Sequence, residues 1–401
     1  MRDLLRLFAP GQRVFIAGSS NEPTGLLRAM AELELPERLN FVQFPLPGLN
    51  AVDVTAWNNS ATLTTFFMTP TLAQADATRV HYLPMQMRAV FDYLAEDLDV
   101  CLLQVAYDRD GVLRLGPNVD FAAAALSAAK VVIAELNRGI KAPLGCPRIE
   151  LTQIDYVFES ERTLAAIPAP KIDAAALTIG KLVAELVNDG DCIQTGIGAI
   201  PAAILNELKI KNDLGLHGGL LDAGGQRLIA AGNVNGVRKS IDQRLHVTGM
   251  ALGDSDLIEW LAQEPTVIFR GADYTHEVRA IAQLDNFVSI NSAVEVDLFG
   301  QVNAEYAGGK QISGTGGSVD FMRAAKASKG GRSIVAMNAT ARGGTVSRIV
   351  PQVDMVTALR TDVDIVVTEF GVAQLKNLPN RQRKDALIEI AAPQFRDELR
   401  G

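Results

Sequence analysis

Cysteine, histidine and basic charge are all scarce in this sequence of 401 residues. Cys101, Cys146 and Cys192 lie far apart without a CxxC spacing, so we expect buried free thiols rather than a disulfide framework. The four histidines show neither a helical pair nor a zinc-ligand spacing, which argues against a structural metal site. Lysine and arginine number 38 against 46 acidic residues, a net charge of −8. This balance excludes a general basic surface for nucleic acid.

Long hydrophobic runs are missing as well. Nowhere do about 18 uncharged apolar residues follow one another. The first ten residues, MRDLLRLFAP, are charged and amphipathic. We therefore expect a cytoplasmic protein with no membrane partner. Hydrophobic residues still make up 48% of the chain, enough to bury large cores, and the length suits two domains.

Short apolar runs alternate with helical stretches along the chain. RVFIAG precedes a helix at 23–33, and DVCLLQVAY precedes the Ala-rich stretch AAAALSAAKVVIAELN. In the second half the strand candidates are DCIQTG, TVIFRG, NFVSINSA, SIVAMNA and IVVTEF. Such alternation is typical of α/β layers with largely parallel sheets. A helical run at 171–188 separates the two sets, and we place the domains at 1–180 and 181–401.

Two pairs of segments suggest that the halves are related. AGSSNEPTGLLRAM resembles TGIGAIPAAILNEL when Gly18 is set on Gly196, which also sets Pro23 on Pro201. Each segment reads as a strand, a glycine-containing turn and a helix with proline in its first turn. NVDF before VVIAELN is echoed by SVDF before SIVAMN. We predict two related Rossmann-like domains, with chance similarity of short segments as the alternative.

The stretch from 289 to 321, SINSAVEVDLFGQVNAEYAGGKQISGTGGSVDF, combines a carboxylate with a glycine-rich loop. Glu295 lies on an apolar strand that ends at a turn containing Gly300. A strand glutamate usually faces solvent or pairs with lysine, so Glu295 alone is a weak candidate. The loop contains Gly308, Gly309, Gly314, Gly316 and Gly317, whose backbone could cradle an anion. It matches neither the P-loop nor the dinucleotide fingerprint, and a mobile connection is the alternative.

Several long motifs occur in one order along nearly the whole chain. They are SNEPTGLLRA at 20–29, LGPNVDF at 115–121, QTGIGAIP at 194–201, DLGLHGG at 213–219, NFVSINSAVEVDLFGQVNAE, GGKQISGTGGSVDF, SKGGRSIVAMNATARGGTVSRIVP, TDVDIVVTEFGVAQL and RQRKDALIEIA. Together they resemble the acetyl-CoA hydrolase/transferase family, which includes 4-hydroxybutyrate and succinyl-CoA:acetate CoA-transferases.

The resemblance implies an enzyme with two domains of the CoA-transferase type. Such an enzyme exchanges CoA between a short-chain acyl-CoA, such as acetyl-CoA, and a small carboxylic acid. The family's glutamate that forms the acyl anhydride and the glutamyl-CoA thioester maps to Glu295. The resemblance implies no cofactor beyond CoA as substrate, no metal, and a homo-oligomer, commonly a dimer. We expect a monocarboxylic acid as the acceptor.

Further site residues are implied by the same resemblance. Gly371 is the candidate for the backbone N–H that stabilises the oxyanion. Gly196 and Gly198, Gly314, Gly316 and Gly317 are expected to line the CoA and substrate site, with Lys310 supplying positive charge. Strand-to-helix turns and solvated lysine are the structural alternatives. Glu22 matches a segment near the family's acyl pocket, or it only caps its helix.

The chain departs from the family pattern in two places. Leu375, Lys376 and Asn377 stand where the family commonly reads L-R-G, which puts the position of the oxyanion donor in doubt. Leu216, His217, Gly218 and Gly219 stand where many relatives read LH-T/S-E or LHSG, so a pocket wall is expected to differ.

Three other functions remain open from the sequence. An acyl-CoA hydrolase on the same scaffold differs only in whether water or a carboxylate accepts the acyl group. A sugar-phosphate isomerase or a ligand-binding module could use similar α/β domains. A structural subunit without activity is the third alternative.

Overall fold

Two largely parallel β-sheets organise the chain in the computed structural model, which describes residues 2–401. Contacts group the residues up to Pro168 with Val247–Thr275 in a first unit, and Ala169–His246 with His276–Gly401 in a second. The segment 247–275 thus groups with residues up to Pro168, although residues 169–246 lie between the two in sequence. The predicted boundary between residues 180 and 181 stays a prediction.

The helices and strands follow each other in the α/β order that the apolar runs predict. Up to Pro168 they are α1 (Arg2–Leu5), β1 (Arg13–Ile16), α2 (Thr24–Ala31), β2 (Asn40–Gln43), β3 (Thr62–Thr65), β4 (Val80–Tyr82), α3 (Met87–Leu94), β5 (Leu98–Tyr107), β6 (Leu113–Leu115), α4 (Ala122–Ala128), β7 (Ala129–Asn137) and β8 (Tyr156–Ser160). The next are α5 (Ala174–Glu185), β9 (Cys192–Thr195), α6 (Ala199–Glu207), β10 (Gly215–Leu216), β11 (Leu220–Asp222), α7 (Ala223–Ala230), β12 (His246–Thr248), β13 (Met250–Leu252), α8 (Ser255–Leu261), β14 (Val267–Phe269) and α9 (Ala272–Thr275). The last are α10 (Val278–Ile281), β15 (Phe287–Asn291), β16 (Glu295–Asp297), β17 (Val302–Asn303), β18 (Tyr306–Ala307), β19 (Lys310–Gln311), α11 (Ser318–Ala327), β20 (Arg332–Ala336), β21 (Thr340–Ala341), β22 (Val346–Ser347), β23 (Ile349–Val350), β24 (Ile365–Thr368), β25 (Gly371–Gln374), α12 (Asn380–Glu389) and α13 (Arg396–Arg400).

The first unit is built on a sheet with the strand order β4-β3-β2-β1-β5-β7-β8. These strands run parallel, and β6 pairs antiparallel with β5. Apolar residues of β1, β2 and β5 pack with Leu26, Leu27 and Met30 of α2 in a buried core. The order reverses between β1 and β5, which places the loop after β1 at a topological switch point, where α/β proteins commonly bind ligands.

The second unit contains a sheet with the order β10-β9-β15-β20-β24-β25. All its pairs are parallel except β24 with β25. A small sheet, β17-β16-β23, carries the segment that follows β15. Val296, Val335, Val366 and Leu387 belong to one buried cluster, so strands of both sheets share a core with α12.

One predicted segment differs from expectation in its secondary structure, and a second differs in its strand partner. The Ala-rich stretch divides into α4 and β7, because the alanines end at 129 and the β-branched residues from Val131 to Ile133 favour a strand. TVIFRG does form a strand, but β14 pairs with β12 rather than joining the sheet of the second unit. Among residues 2–401, no helix is long and apolar enough to cross a membrane.

Candidate active site

Three of the predicted site segments meet at the carboxyl edge of the second unit's sheet. β9, β15, β20 and β24 are neighbours and run parallel, so their carboxyl ends lie at the same edge. The loop with Gly196 and Gly198 follows β9, the segment with Glu295 follows β15, and Gly371 follows β24. Ligands of α/β proteins bind in crevices outside this edge.

Glu295 is held by a buried asparagine. It begins β16, lies opposite Asn303 of β17, and is partly buried. Asn303 Nδ2 donates to Glu295 Oε2 at 3.2 Å. Asn303 itself is 1% exposed, and its Oδ1 accepts the backbone N–H groups of Glu305 and Tyr306 at 3.2 and 3.0 Å. The orientation of the Glu295 carboxylate is therefore set by a side chain that is itself fixed.

Asn303 was not among the residues singled out from the sequence. Its position eight residues after Glu295 becomes meaningful only through the antiparallel register of β16 and β17. The turn between these strands contains Gly300, as predicted, with a φ of +88°. The sequence feature that could have pointed to Asn303 is its short spacing from Glu295, which is compatible with a hairpin.

Asp297 stabilises that turn rather than facing a ligand. It is fully buried, and its Oδ1 accepts the N–H groups of Phe299 and Gln301 at 3.0 and 2.9 Å. Arg383 of α12 donates to the carbonyls of Phe299 and Leu375 at 3.2 and 3.1 Å. The base of the Glu295 hairpin is thus tied to the helix that packs behind it.

The glycine-rich stretch divides into two structures. Gly308 and Gly309, with φ of +58° and +77°, form the two-residue connection of the β18–β19 hairpin. Two positive φ values are those of a type I′ turn, which accounts for both glycines without a ligand. Lys310 begins β19 and is exposed. Gly314, Gly316 and Gly317 instead lead into α11.

Gly317 is required by a close approach. A Cβ at this position would lie 2.4 Å from Cδ2 and Nε2 of His276. A Cβ at Gly219 would lie 2.8 Å from Cε1 of the same ring, which also packs on Phe321 at 4.6 Å between centroids. Burial lowers the pKa of His276 to about 3, so the imidazole is neutral near pH 7. Of the two unusual glycines at 218–219, Gly219 therefore adjoins a buried neutral histidine, whereas a Cβ at Gly218 would lie 3.2 Å from Cγ of Gln194.

The loop after β9 is open. A Cβ at Gly196 or Gly198 would meet nothing within 4 Å, and Gly198 has a φ of +116°. Ile197 between them is 47% exposed. At the base of the loop the amides of Gln194 and Asn291 bond to each other reciprocally at 3.3 and 3.2 Å. The loop thus has a fixed base and a free backbone.

Gly371 begins β25 with a φ of +146°, a region that favours glycine. Thr368 pairs with it across the turn. Within this turn Glu369 Oε2 accepts the N–H of Ala339 at 2.7 Å, which joins the loop after β20 to the loop after β24. The role of Gly371 as an oxyanion donor stays a prediction.

Glu22 of the first unit does not cap its helix. α2 begins at Thr24 without a side-chain cap. Glu22 is buried, and its carboxylate accepts Gln43 Nε2 and Thr24 Oγ1, both at 3.0 Å. Burial raises the pKa of Glu22. The helix-cap interpretation is wrong, because the side chain turns towards β2 instead.

Comparisons with known proteins identify the family. Residues 1–168 match the acetyl-CoA hydrolase/transferase N-terminal domain, and residues 253–401 match the C-terminal domain. A 4-hydroxybutyrate coenzyme A transferase of Clostridium kluyveri is 42% identical over 306 residues, 75% of this chain and 71% of that protein. This chain belongs to the acetyl-CoA hydrolase/transferase family. The resemblance stated from the motifs is confirmed.

Further relatives and solved structures support the same family and fold. A butyryl-CoA:acetate CoA-transferase of Anaerostipes caccae is 36% identical over 80% of this chain and 74% of its own length. The crystal structure of RipA from Yersinia pestis is 33% identical, covers 98% of this chain and 93% of its own, and superposes with a TM-score of 0.91. The 4-hydroxybutyrate CoA-transferase of Porphyromonas gingivalis is 32% identical with a TM-score of 0.81, covering 100% and 95%. The predicted two-domain α/β fold is confirmed.

Proposed function

We propose that this family member transfers CoA from a short-chain acyl-CoA to a small carboxylic acid through a glutamyl-CoA thioester on Glu295. The family relationship supports the reaction, since relatives at 36 to 42% identity are named CoA-transferases. The observation that supports the nucleophile is geometric. Glu295 lies beyond the carboxyl end of β15, partly exposed, with one oxygen held by Asn303.

The reaction needs a carboxylate because the acyl group must stay activated. A Glu295 oxygen attacks the thioester carbonyl, the C–S bond breaks, and CoA leaves as a thiolate while an anhydride forms. The thiolate then attacks the glutamyl carbonyl and expels the first acid as a carboxylate. A second acid reverses these steps, so ping-pong kinetics follow.

Each addition builds an oxyanion that requires fixed donors. We propose a backbone N–H at the turn with Gly371, or of the open loop at 196–198, for this task. Both lie at the carboxyl edge that also carries Glu295. A Cβ at Gly196 or Gly198 would meet nothing within 4 Å, and one at Gly371 would lie 3.5 Å from Cγ2 of Ile390. Removing one such donor typically costs about 100- to 1,000-fold in rate.

For CoA binding we propose the segment from Gly314 to Gly317 with the start of α11. The ten-residue helix directs N–H groups and the positive end of its dipole towards an anion. Lys310 is exposed on the neighbouring hairpin and would add positive charge. No metal or redox group is needed for this chemistry, so we expect activity to survive chelator treatment.

We propose a small monocarboxylate as acceptor, with acetate, butyrate and 4-hydroxybutyrate as first candidates by analogy with the relatives. We also propose that the protein is cytoplasmic and forms a homodimer. Light scattering after gel filtration would test the homodimer. Purified protein should release CoA from acetyl-CoA slowly, and form a new acyl-CoA quickly when a monocarboxylate is added. CoA release that is independent of the acid would instead identify a hydrolase.

The nucleophile is tested by mass spectrometry after exposure to an acyl-CoA. We expect a hydroxylamine-sensitive CoA adduct on the peptide containing Glu295, absent in Glu295→Gln and retained in the control Glu398→Gln on exposed α13. Transfer should fall by several orders of magnitude in the first variant only. An adduct on a different peptide, with normal turnover in Glu295→Gln, would assign the nucleophile elsewhere while leaving CoA transfer intact.

A further inference from the structure

The first unit contains a cavity of about 530 Å³ that the proposed reaction does not use. It lies beside the carboxyl ends of β5, β7 and β8, which are neighbouring parallel strands. Arg109 follows β5, Lys141 follows β7, Leu164 follows β8, and Ile258 of α8 forms a further wall. Cavities of about 300 to 1,000 Å³ are the usual size for small-molecule sites.

Positive charge at this cavity is only partly neutralised. Arg138 pairs with Glu159 at 2.7 Å, both side chains being more than half exposed. Arg109 Nε lies 3.9 Å from Asp110, too far for a hydrogen bond. Within residues 2–401 no ion pair involves Lys141, which is exposed at the cavity. Lys141 and Arg109 are therefore available to an anionic ligand.

Two acidic residues limit what that anion can be. Asp254 and Glu259 also line the cavity, so three cations face two carboxylates. Asp254 is engaged at the start of α8, where it accepts the N–H of Leu257 at 3.2 Å. The charged lining side chains sum to a formal +1, and Arg138 is already paired with Glu159, so the cations available to a ligand are Arg109 and Lys141. Two cations beside two carboxylates suit a ligand with one negative charge better than a polyphosphate.

Beside the polar Thr163, Ser255 and Gln263, part of the remaining wall of the cavity is apolar. Ile140, Leu164 and Ile258 line it, and Ile258 is 7% exposed. A ligand that fills the space must bury hydrocarbon against these side chains, which favours binding. The cavity thus suits a ligand that combines one anionic group with an apolar body.

We propose that this cavity binds an amphipathic organic monoanion, a monocarboxylate with a medium-length aliphatic or aromatic body. The carboxylate contacts Lys141 and Arg109, and the hydrocarbon packs on Leu164 and Ile258. The lining includes none of the residues proposed for CoA transfer, so occupancy does not depend on Glu295.

Octanoate is a direct probe, measured by titration calorimetry on the full chain with excess acetate present to occupy acceptor sites. We expect saturable binding of one octanoate per chain, weakened at least about tenfold by Lys141→Ala combined with Arg109→Ala, and also weakened by Leu164→Asp. Lys171→Ala, an exposed control lysine, should bind normally. Glu295→Gln should bind normally too, which separates this proposal from the catalytic one. Octylamine should not bind.

Four results would overturn the proposal. Octanoate binding could fail to saturate, or it could survive in both cavity variants when circular dichroism shows them folded. It could also be lost in Glu295→Gln, which would place octanoate at the transfer site. Tighter binding of 3′,5′-ADP than of octanoate, abolished by the Lys141 and Arg109 changes, would show a polyanion site and contradict the charge argument.

Discussion

Asp120 of the first unit is a buried carboxyl whose Oδ1 has no hydrogen-bond partner. Burial raises the pKa of this group to about 8. Between its ordinary pKa near 3.8 and that value, the folded chain holds a proton that the unfolded chain has released. The free energy of unfolding therefore falls as pH rises through this window, by at most about 1.4 kcal/mol per pH unit.

We predict that Asp120→Asn removes this pH dependence, because an amide stays neutral. Relative to the wild type, the variant should gain stability progressively from pH 5 to pH 8. Guanidinium unfolding at four pH values measures the difference. The exposed control Asp397→Asn should show a constant difference across this range. An equal offset for Asp120→Asn at every pH would mean that Asp120 is ionised in the folded chain.

Asn303 is expected to contribute both to the stability of the fold and to the proposed reaction of Glu295. In Asn303→Ala, the N–H groups of buried Glu305 and partly buried Tyr306 lose their acceptor, and Glu295 loses its donor. We predict a loss of about 1–3 kcal/mol in stability and a fall in kcat larger than any change in KM. In the Glu295→Gln background, the same change should reduce stability without a further effect on turnover. A normal kcat in Asn303→Ala would rule out its positioning role.

At the scale of elements, the start of α11 distinguishes two kinds of glycine. Gly317 has no room for a side chain because of His276, whereas Gly316 has open space and a φ of +53°. Gly317→Ala should destabilise the chain by about 1–3 kcal/mol through overpacking. Gly316→Asn should cost less, since asparagine tolerates a left-handed backbone. Urea midpoints of the two variants check this, and similar midpoints would contradict the packing argument.

The elements also show which local patterns carry structural information. β9, β15, β20 and β24 were predicted as apolar runs because strands buried on both faces need continuous hydrophobic sequence. The helix at 171–188 corresponds to α5, which begins after the capping Asp173. The partner of β14 could not be predicted, because an apolar run does not encode which strand lies beside it.

At the scale of the whole molecule, the three cysteines report on both units. Cys101 and Cys146 lie in the first unit and Cys192 in the second, and all are free and buried. Burial raises the pKa of Cys101 and Cys192 to about 12, and that of Cys146 well above its ordinary value. Thiolates, the reactive form, are therefore absent near pH 8.

We predict that Ellman's reagent labels none of these thiols in the native protein and three after denaturation. If one unit unfolds first, labelling at intermediate urea should stop at two thiols or at one. Peptide mapping identifies which cysteines reacted. Rapid labelling of any thiol without denaturant would show that the burial of that cysteine is not maintained in solution.

The sequence by itself determined the family, the α/β layers and the polar candidates, because apolar periodicity and ordered motifs are local properties of the chain. Tertiary structure decided which of these residues meet. Parallel pairing brings Gly196, Glu295 and Gly371 to one edge although they are far apart in sequence. Hairpin register places Asn303 on Glu295, and packing turns Gly317 into a contact with His276. These outcomes depend on long-range pairing and side-chain volume, which no single segment specifies.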